Sequence, residues 1–170
     1  NFNEEIVEDG ETFEENSEIK ARAIKEFCDK NNIDYEIIIA DDGGMCVDCL
    51  NGRPGVYSAR FAGEHATQEQ ILNKLLEEMK AFPNEEERTS TFVCVLFGIL
   101  KDGRTIVKRG ETHGRITDKI SKLGGLTYNP VFVPDGFDKT VVEMSDEEFK
   151  NVHNHRMAAL EGIFAELKKM

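Results

Sequence analysis

Ile37-Ile38-Ile39-Ala40-Asp41-Asp42-Gly43-Gly44-Met45 sets two adjacent carboxylates directly after a short apolar run. A run of this kind, bounded by turn-forming residues, reads as a core strand over Glu36 to Ala40, and in open α/β sheets ligands bind at the carboxyl ends of strands. Gly43 and Gly44 are then expected to turn the backbone sharply and to let it approach a ligand closely. Taken alone, Asp-Asp-Gly-Gly is equally a polar surface turn, so its meaning depends on the rest of the chain.

Upstream, Thr12 followed by Glu15 forms a capping-box pattern that opens a helix from about Phe13 to Asp29, with Ile19, Ala23 and Phe27 on one face. Glu15 thereby has a structural explanation. Downstream, Thr67 with Gln70 opens a second helix whose buried stripe is Ile71, Leu72, Leu75, Leu76 and Met79, and Pro83 stops it. Thr91 to Leu100 is too continuously apolar for a half-exposed strand and belongs in the centre of a sheet. Asp102-Gly103 is a hairpin signal leading into Arg104 to Lys108, and Tyr128 to Val133 reads as another short strand. Ser145 with Glu148 opens a last helix running to about Lys168, with a break expected near Asn151 to Asn154. No internal repeat or low-complexity tract interrupts this α/β pattern, and residues 1–170 are expected to form a single domain.

Composition narrows the class further. Of the 170 residues 39% are hydrophobic, enough for one substantial core, and no apolar run approaches the length that spans a bilayer. The opening Asn1-Phe2-Asn3-Glu4-Glu5 has neither the basic nor the apolar region of a signal peptide, so a cytoplasmic location and no membrane partner are expected. A formal net charge of −12 disfavours binding to nucleic acid polymers, whose affinity comes largely from phosphate neutralisation. A nucleotide is also an anion, so a site for one must gather local cations or a metal. Cys46 and Cys49 form a C-x-x-C pair, but no second ligand pair at zinc-site spacing and no thioredoxin-like context accompany it, so they read as small hydrophobes.

The last helix adds a separate signal. At about 100° per residue, Phe149, Leu160, Ile163, Phe164 and Leu167 share a face with Arg156 near its middle, which aims a guanidinium inward. A buried arginine needs an anion or a cluster of carbonyl acceptors. An internal ion pair, or a helix break that turns Arg156 outward, satisfies the same pattern.

Several blocks occur in a telling order: Glu8-Asp9-Gly10-Glu11-Thr12-Phe13-Glu14-Glu15-Asn16, Lys20-Ala21-Arg22-Ala23, Asp41-Asp42, and the segment Asn51 to Gly63 with Arg53, Tyr57, Arg60 and Phe61. They are followed by Gly124-Gly125-Leu126-Thr127-Tyr128-Asn129-Pro130-Val131-Phe132-Val133-Pro134, Lys139-Thr140, Glu143-Met144-Ser145, Lys150-Asn151 and Asn154-His155-Arg156. From Glu8 to the C-terminus this ordered set resembles the inosine triphosphate pyrophosphatase family, house-cleaning enzymes that hydrolyse non-standard purine nucleoside triphosphates such as ITP, dITP and XTP to the monophosphate and pyrophosphate.

The resemblance implies a mixed twisted β-sheet flanked by helices, two lobes with a nucleotide cleft between them, a homodimer and dependence on Mg²⁺. It also implies that Glu8 and Asp42 bind the metal, that Asp42 activates the attacking water, and that Asp41 and Glu15 support them. Gly43, Lys20, Leu126, Thr127, Tyr128, Asn129, Lys150, His155 and Arg156 would contact the substrate. Arginine suits a 6-oxo purine because it only donates, matching O6 and N7 acceptors where adenine presents an amino group. Mg²⁺ suits two carboxylates, since it is commonly held by one or two of them together with phosphate oxygens and water.

The sequence departs from the family pattern at identifiable places. Gly43 stands where the family has serine, Leu126-Thr127-Tyr128-Asn129-Pro130 replaces Phe-Gly-Tyr-Asp-Pro, and Asn154 replaces serine. The family's opening strand-helix unit, with its Ser/Thr-Gly-Asn-x-x-Lys loop, is expected to be missing ahead of Asn1. These departures leave two alternatives beside the enzyme: a non-catalytic nucleotide-binding or dimerising remnant, and a pyrophosphatase with shifted base preference.

Overall fold

The computed structural model describes residues 5–170; the first four, part of the opening read above for a leader pattern, lie outside them. Helix α1 spans Phe13–Lys30 and α2 Gln68–Glu78, while strands β1 Ile37–Val47, β2 Thr89–Leu100, β3 Thr105–Ile116 and β4 Phe132–Pro134 form a four-stranded sheet in the order β1-β2-β3-β4. Two helices close the chain, α3 Asp146–Phe149 and α4 His155–Leu167. The α/β class is as expected. Among the described strands every pairing is antiparallel: Lys101 N–H donates to Glu36 O where β2 ends and β1 begins, β2 and β3 form a hairpin at Gly103, and Ile116 stands opposite Phe132 between β3 and β4.

The chain divides into two compact units. The first comprises Asn1–Gly43, Cys94–Gly110 and His155–Met170. Here β2 is covered on both faces. Phe97 and Ile99 pack with Ala21 and Cys28 of α1 and with Ile38 and Ala40 of β1, whereas Cys94 and Leu96 pack with Ile106, Ala159 and Ile163, bringing in α4. Alternate residues of a strand face opposite ways, so burial on both sides is the reason for the unbroken apolar run. The capping box of Thr12 and Glu15 opens α1 as the spacing predicts. Its buried side is instead Phe13, Asn16, Ser17, Ala21 and Cys28, while Ile19, Ala23 and Phe27 are half-buried. Small polar residues take the contact positions, which apolar periodicity passes over.

The second unit comprises Gly44–Val93 and Glu111–Asn154. Ile71, Leu72, Leu75 and Met79 of the α2 segment pack against Met45, Val47, Phe92, Ile116 and Phe132. Phe92 meets Phe132 edge-on, with ring centres 4.7 Å apart, an arrangement that contributes about 0.5–1.5 kcal/mol beyond area burial. The buried arginine of this protein is Arg88. Its guanidinium donates to the carbonyls of Ile116, Met79, Phe82 and Thr117 at 2.6–3.2 Å, the acceptor cluster that desolvating such a group requires.

Two expected boundaries move. The strand at Glu36 to Ala40 continues to Val47, so Asp41 to Gly44 lie inside β1 and form no turn. Gly44 is needed for close approach: a Cβ there would stand 2.3 Å from Ser58 Oγ and 2.6 Å from Gly55 O. Tyr128 precedes β4, which begins only at Phe132. The expected break in the last helix is present, separating α3 from α4.

Candidate active site

In the first unit three charged side chains converge from three segments. Lys20 Nζ of α1 lies 2.9 Å from Glu8 Oε2, in the segment before the helix, and 3.0 Å from Asp42 Oδ1 of β1. Asp42 follows Ile38 and Ala40 on the strand's period of two, so it extends the face that α1 covers. Its side chain is 12% exposed, and its second oxygen, Oδ2, is buried with no hydrogen-bond partner among the described residues. A buried carboxylate oxygen left without a donor is costly and rare.

Glu8 is brought to this place by its neighbours. Gly10 N–H donates to Asn16 Oδ1 at 2.9 Å, and a Cβ at Gly10 would come within 2.7 Å of that oxygen. Asn16 is buried, and it favours the charged form of Asp42. Glu15 closes the turn from outside, accepting from the N–H groups of Glu11 at 2.6 Å and Thr12 at 3.3 Å. Its carboxylate is thus engaged by the cap and does not stand behind Asp42. Asn16, absent from the residues singled out in the sequence, links the Glu8 loop to the carboxylate site; a polar residue on the buried side of α1 was the available signal.

The electrostatics of the cluster follow from burial and pairing. Burial pushes the Asp42 carboxyl above its ordinary range, and Lys20 opposes that push. Burial alone would lower the Lys20 pKa, but hydrogen bonds to Glu8 and Asp42 outweigh it and hold the ammonium charged. The donor set fits a divalent cation: two hard carboxylates, one with an oxygen that has no donor among the described residues, the number of carboxylates that commonly holds Mg²⁺. No larger group of three or more potential ligands occurs among the described residues.

Asp41 points the other way, as adjacent strand residues must. Its Oδ2 accepts from Arg156 Nη1 at 2.9 Å, with the side chains 44% and 57% exposed. The expectation that Asp41 supports Asp42 is therefore corrected. So is the inward aim of Arg156, because the helical phase counted from Phe149 does not carry across the break before His155. The start of α4 is held against β3, where a Cβ at Gly110 would lie 2.0 Å from His155 O. His155 is half-buried, and desolvation, with Arg156 beside it, lowers its pKa to about 4.

Apart from Gly43, the remaining predicted substrate residues lie in the second unit. Tyr128 is a core residue whose hydroxyl donates to Ser58 O at 2.8 Å, and burial raises its pKa. Leu126 is 55% exposed, Thr127 and Asn129 are half-buried, and Lys150 is exposed at the end of α3. Gly43 is an exposed residue of β1 in the first unit. All four cysteines are free thiols, and burial raises the pKa of Cys49.

Residues 1–166 match the model of the Ham1 family. The chain belongs to the Ham1 family. It is 42% identical over 165 residues to a protein of Clostridium perfringens named dITP/XTP pyrophosphatase, covering 96% of this chain and 79% of that relative. A Bacillus subtilis protein of the same name is 39% identical over 162 residues, covering 95% and 78%. Among solved structures, the Staphylococcus aureus Ham1 protein superposes with a TM-score of 0.84 at 34% identity, over 98% of this chain and 82% of that one. A HAM1 protein from Coxiella burnetii gives 0.84 at 31% identity, over the same shares. The expected family and the expected enzyme class, a nucleoside triphosphate pyrophosphatase, both stand on these Ham1 relatives.

Proposed function

We propose that this protein hydrolyses dITP, ITP and XTP between the α- and β-phosphates, releasing the monophosphate and pyrophosphate, with Mg²⁺ as cofactor and as a homodimer in the cytoplasm. The observation that carries this reading is Asp42: a carboxylate inside β1, paired on one oxygen by Lys20 and with no donor to the other among the described residues. The names of the relatives support the substrate class.

Glu8 and Asp42 would hold the metal, which when bound neutralises phosphoryl charge. Asp42 would also take the proton of the attacking water as the water oxygen bonds to phosphorus and the bridging P–O bond breaks. A carboxylate whose pKa is raised by burial is a better base near neutral pH than an exposed one. Lys20 keeps Asp42 ionised and adds a positive charge beside the phosphates. Positioning and charge neutralisation are the main demands of such a transfer. Arg156 and the Leu126 to Asn129 segment would meet the base.

The test is product analysis with Mg²⁺ and dITP, ITP, XTP and dATP supplied separately. Pyrophosphate from the first three, with dATP much slower, is expected. Orthophosphate as the sole inorganic product, or equal rates with dATP, would refute the reading.

A further inference from the structure

Gln68, the first residue of α2, spends its side chain on a single loop of the second unit. Its Oε1 accepts from Gly124 N–H at 3.0 Å, and its Nε2 donates toward the carbonyls of Gly124, Leu126 and Thr127 at 3.0, 3.1 and 3.2 Å. An amide nitrogen carries two protons, so one of these is shared. Gly124 and Gly125 have φ of +137° and +63°, which glycine adopts without strain and which lets the loop fold back over Gln68. Thr67, the neighbouring residue, is the one that caps α2, so the Gln68 amide has no part in the cap.

This clamp has a geometric consequence. In a trans peptide the N–H of each residue points opposite to the carbonyl before it, and the peptides of this loop are trans. With the carbonyls of Gly124, Leu126 and Thr127 gathered on Gln68, the N–H groups of Gly125, Thr127 and Tyr128 face away from it. None of these three donates to a described residue. A set of oriented donors without acceptors matches a ligand edge that carries oxygen acceptors, and it mismatches an exocyclic amino group.

We propose that Gln68 is a positioning residue, holding the loop so that these main-chain N–H groups read the oxo oxygen of a purine base. The proposal rests on the functional reading above, in which this loop meets the base. Two variants test it. Gln68→Ala removes both halves of the clamp, and Gln68→Glu keeps the acceptor for Gly124 while setting a negative charge against the carbonyls.

In both variants the ratio of kcat/KM for dITP over dATP should fall by at least about tenfold, the scale on which losing a built hydrogen-bonding arrangement relaxes discrimination. The change should appear in KM for dITP, with the Mg²⁺ activation curve unmoved. In Gln68→Ala the amide of Gly124, followed by NMR hydrogen exchange, should exchange faster. A folded variant with an unchanged dITP-to-dATP ratio would overturn the proposal, whatever the exchange shows. If the wild-type protein hydrolyses no purine triphosphate, the functional reading fails first and the base-reading role falls with it. In that case unaltered Gly124 exchange in Gln68→Ala would overturn the positioning role as well, and faster exchange would uphold it.

Discussion

Lys20 donates to Asp42 across 3.0 Å, joining the middle of α1 to the middle of β1 through side chains 20% and 12% exposed. Burial pushes the Asp42 pKa up and Lys20 pulls it back, so the pair sets the pH at which the carboxylate becomes available. Lys20→Met should raise that pKa further and shift the acid limb of the kcat–pH profile to higher pH. Losing a partner of a half-buried charge should also lower stability by about 1–3 kcal/mol, read from urea unfolding. An acid limb that stays in place would show that Lys20 does not tune Asp42.

His155 supplies a separate pH dependence. Its pKa is depressed to about 4 by desolvation from an ordinary value of 6.5. The unfolded chain therefore binds a proton that the folded one refuses between those values, and stability is whole above about pH 6.5 and declines as pH falls toward about 4. His155→Gln should flatten that part of the thermal-midpoint-against-pH curve. A curve of unchanged slope would place the proton uptake elsewhere.

Arg156 pairs with Asp41 in an exposed setting, where an ion pair contributes about 0.2–1 kcal/mol. Arg156→Ala should therefore leave the unfolding midpoint nearly unchanged while lowering the preference for dITP over dATP. A large loss of stability with intact preference would make it a structural residue instead.

How far these features could be read from sequence depends on the distance over which each signal acts. The capping boxes of α1, α2 and α3 and the break before α4 are local, and Thr12, Thr67 and Ser145 announce them. The double burial of β2 is visible in its unbroken apolar run. Asp41 to Gly44 carry the composition of a turn yet lie inside β1, because the need for Gly44 comes from Ser58 and Gly55, distant in the chain. The role of Gln68 is non-local in the same way, since its partners lie 56 to 59 residues away. Arg156 falls on the inward face only if helical phase continues from Phe149; the break before His155 interrupts it, and the side chain is exposed. Glu8, Lys20 and Asp42, chosen by family resemblance, do meet in the structure.

Asp42→Asn, assayed by pyrophosphate release from dITP across a Mg²⁺ titration, bears most directly on the proposed chemistry. The substitution is nearly isosteric and should preserve the fold. Turnover is expected to fall by at least about 100-fold, the scale for losing one electrostatic group that acts in the transition state, and the Mg²⁺ response should weaken with it. A folded Asp42→Asn protein with near wild-type turnover and an unchanged Mg²⁺ dependence would contradict the assignment of Asp42 as metal ligand and base.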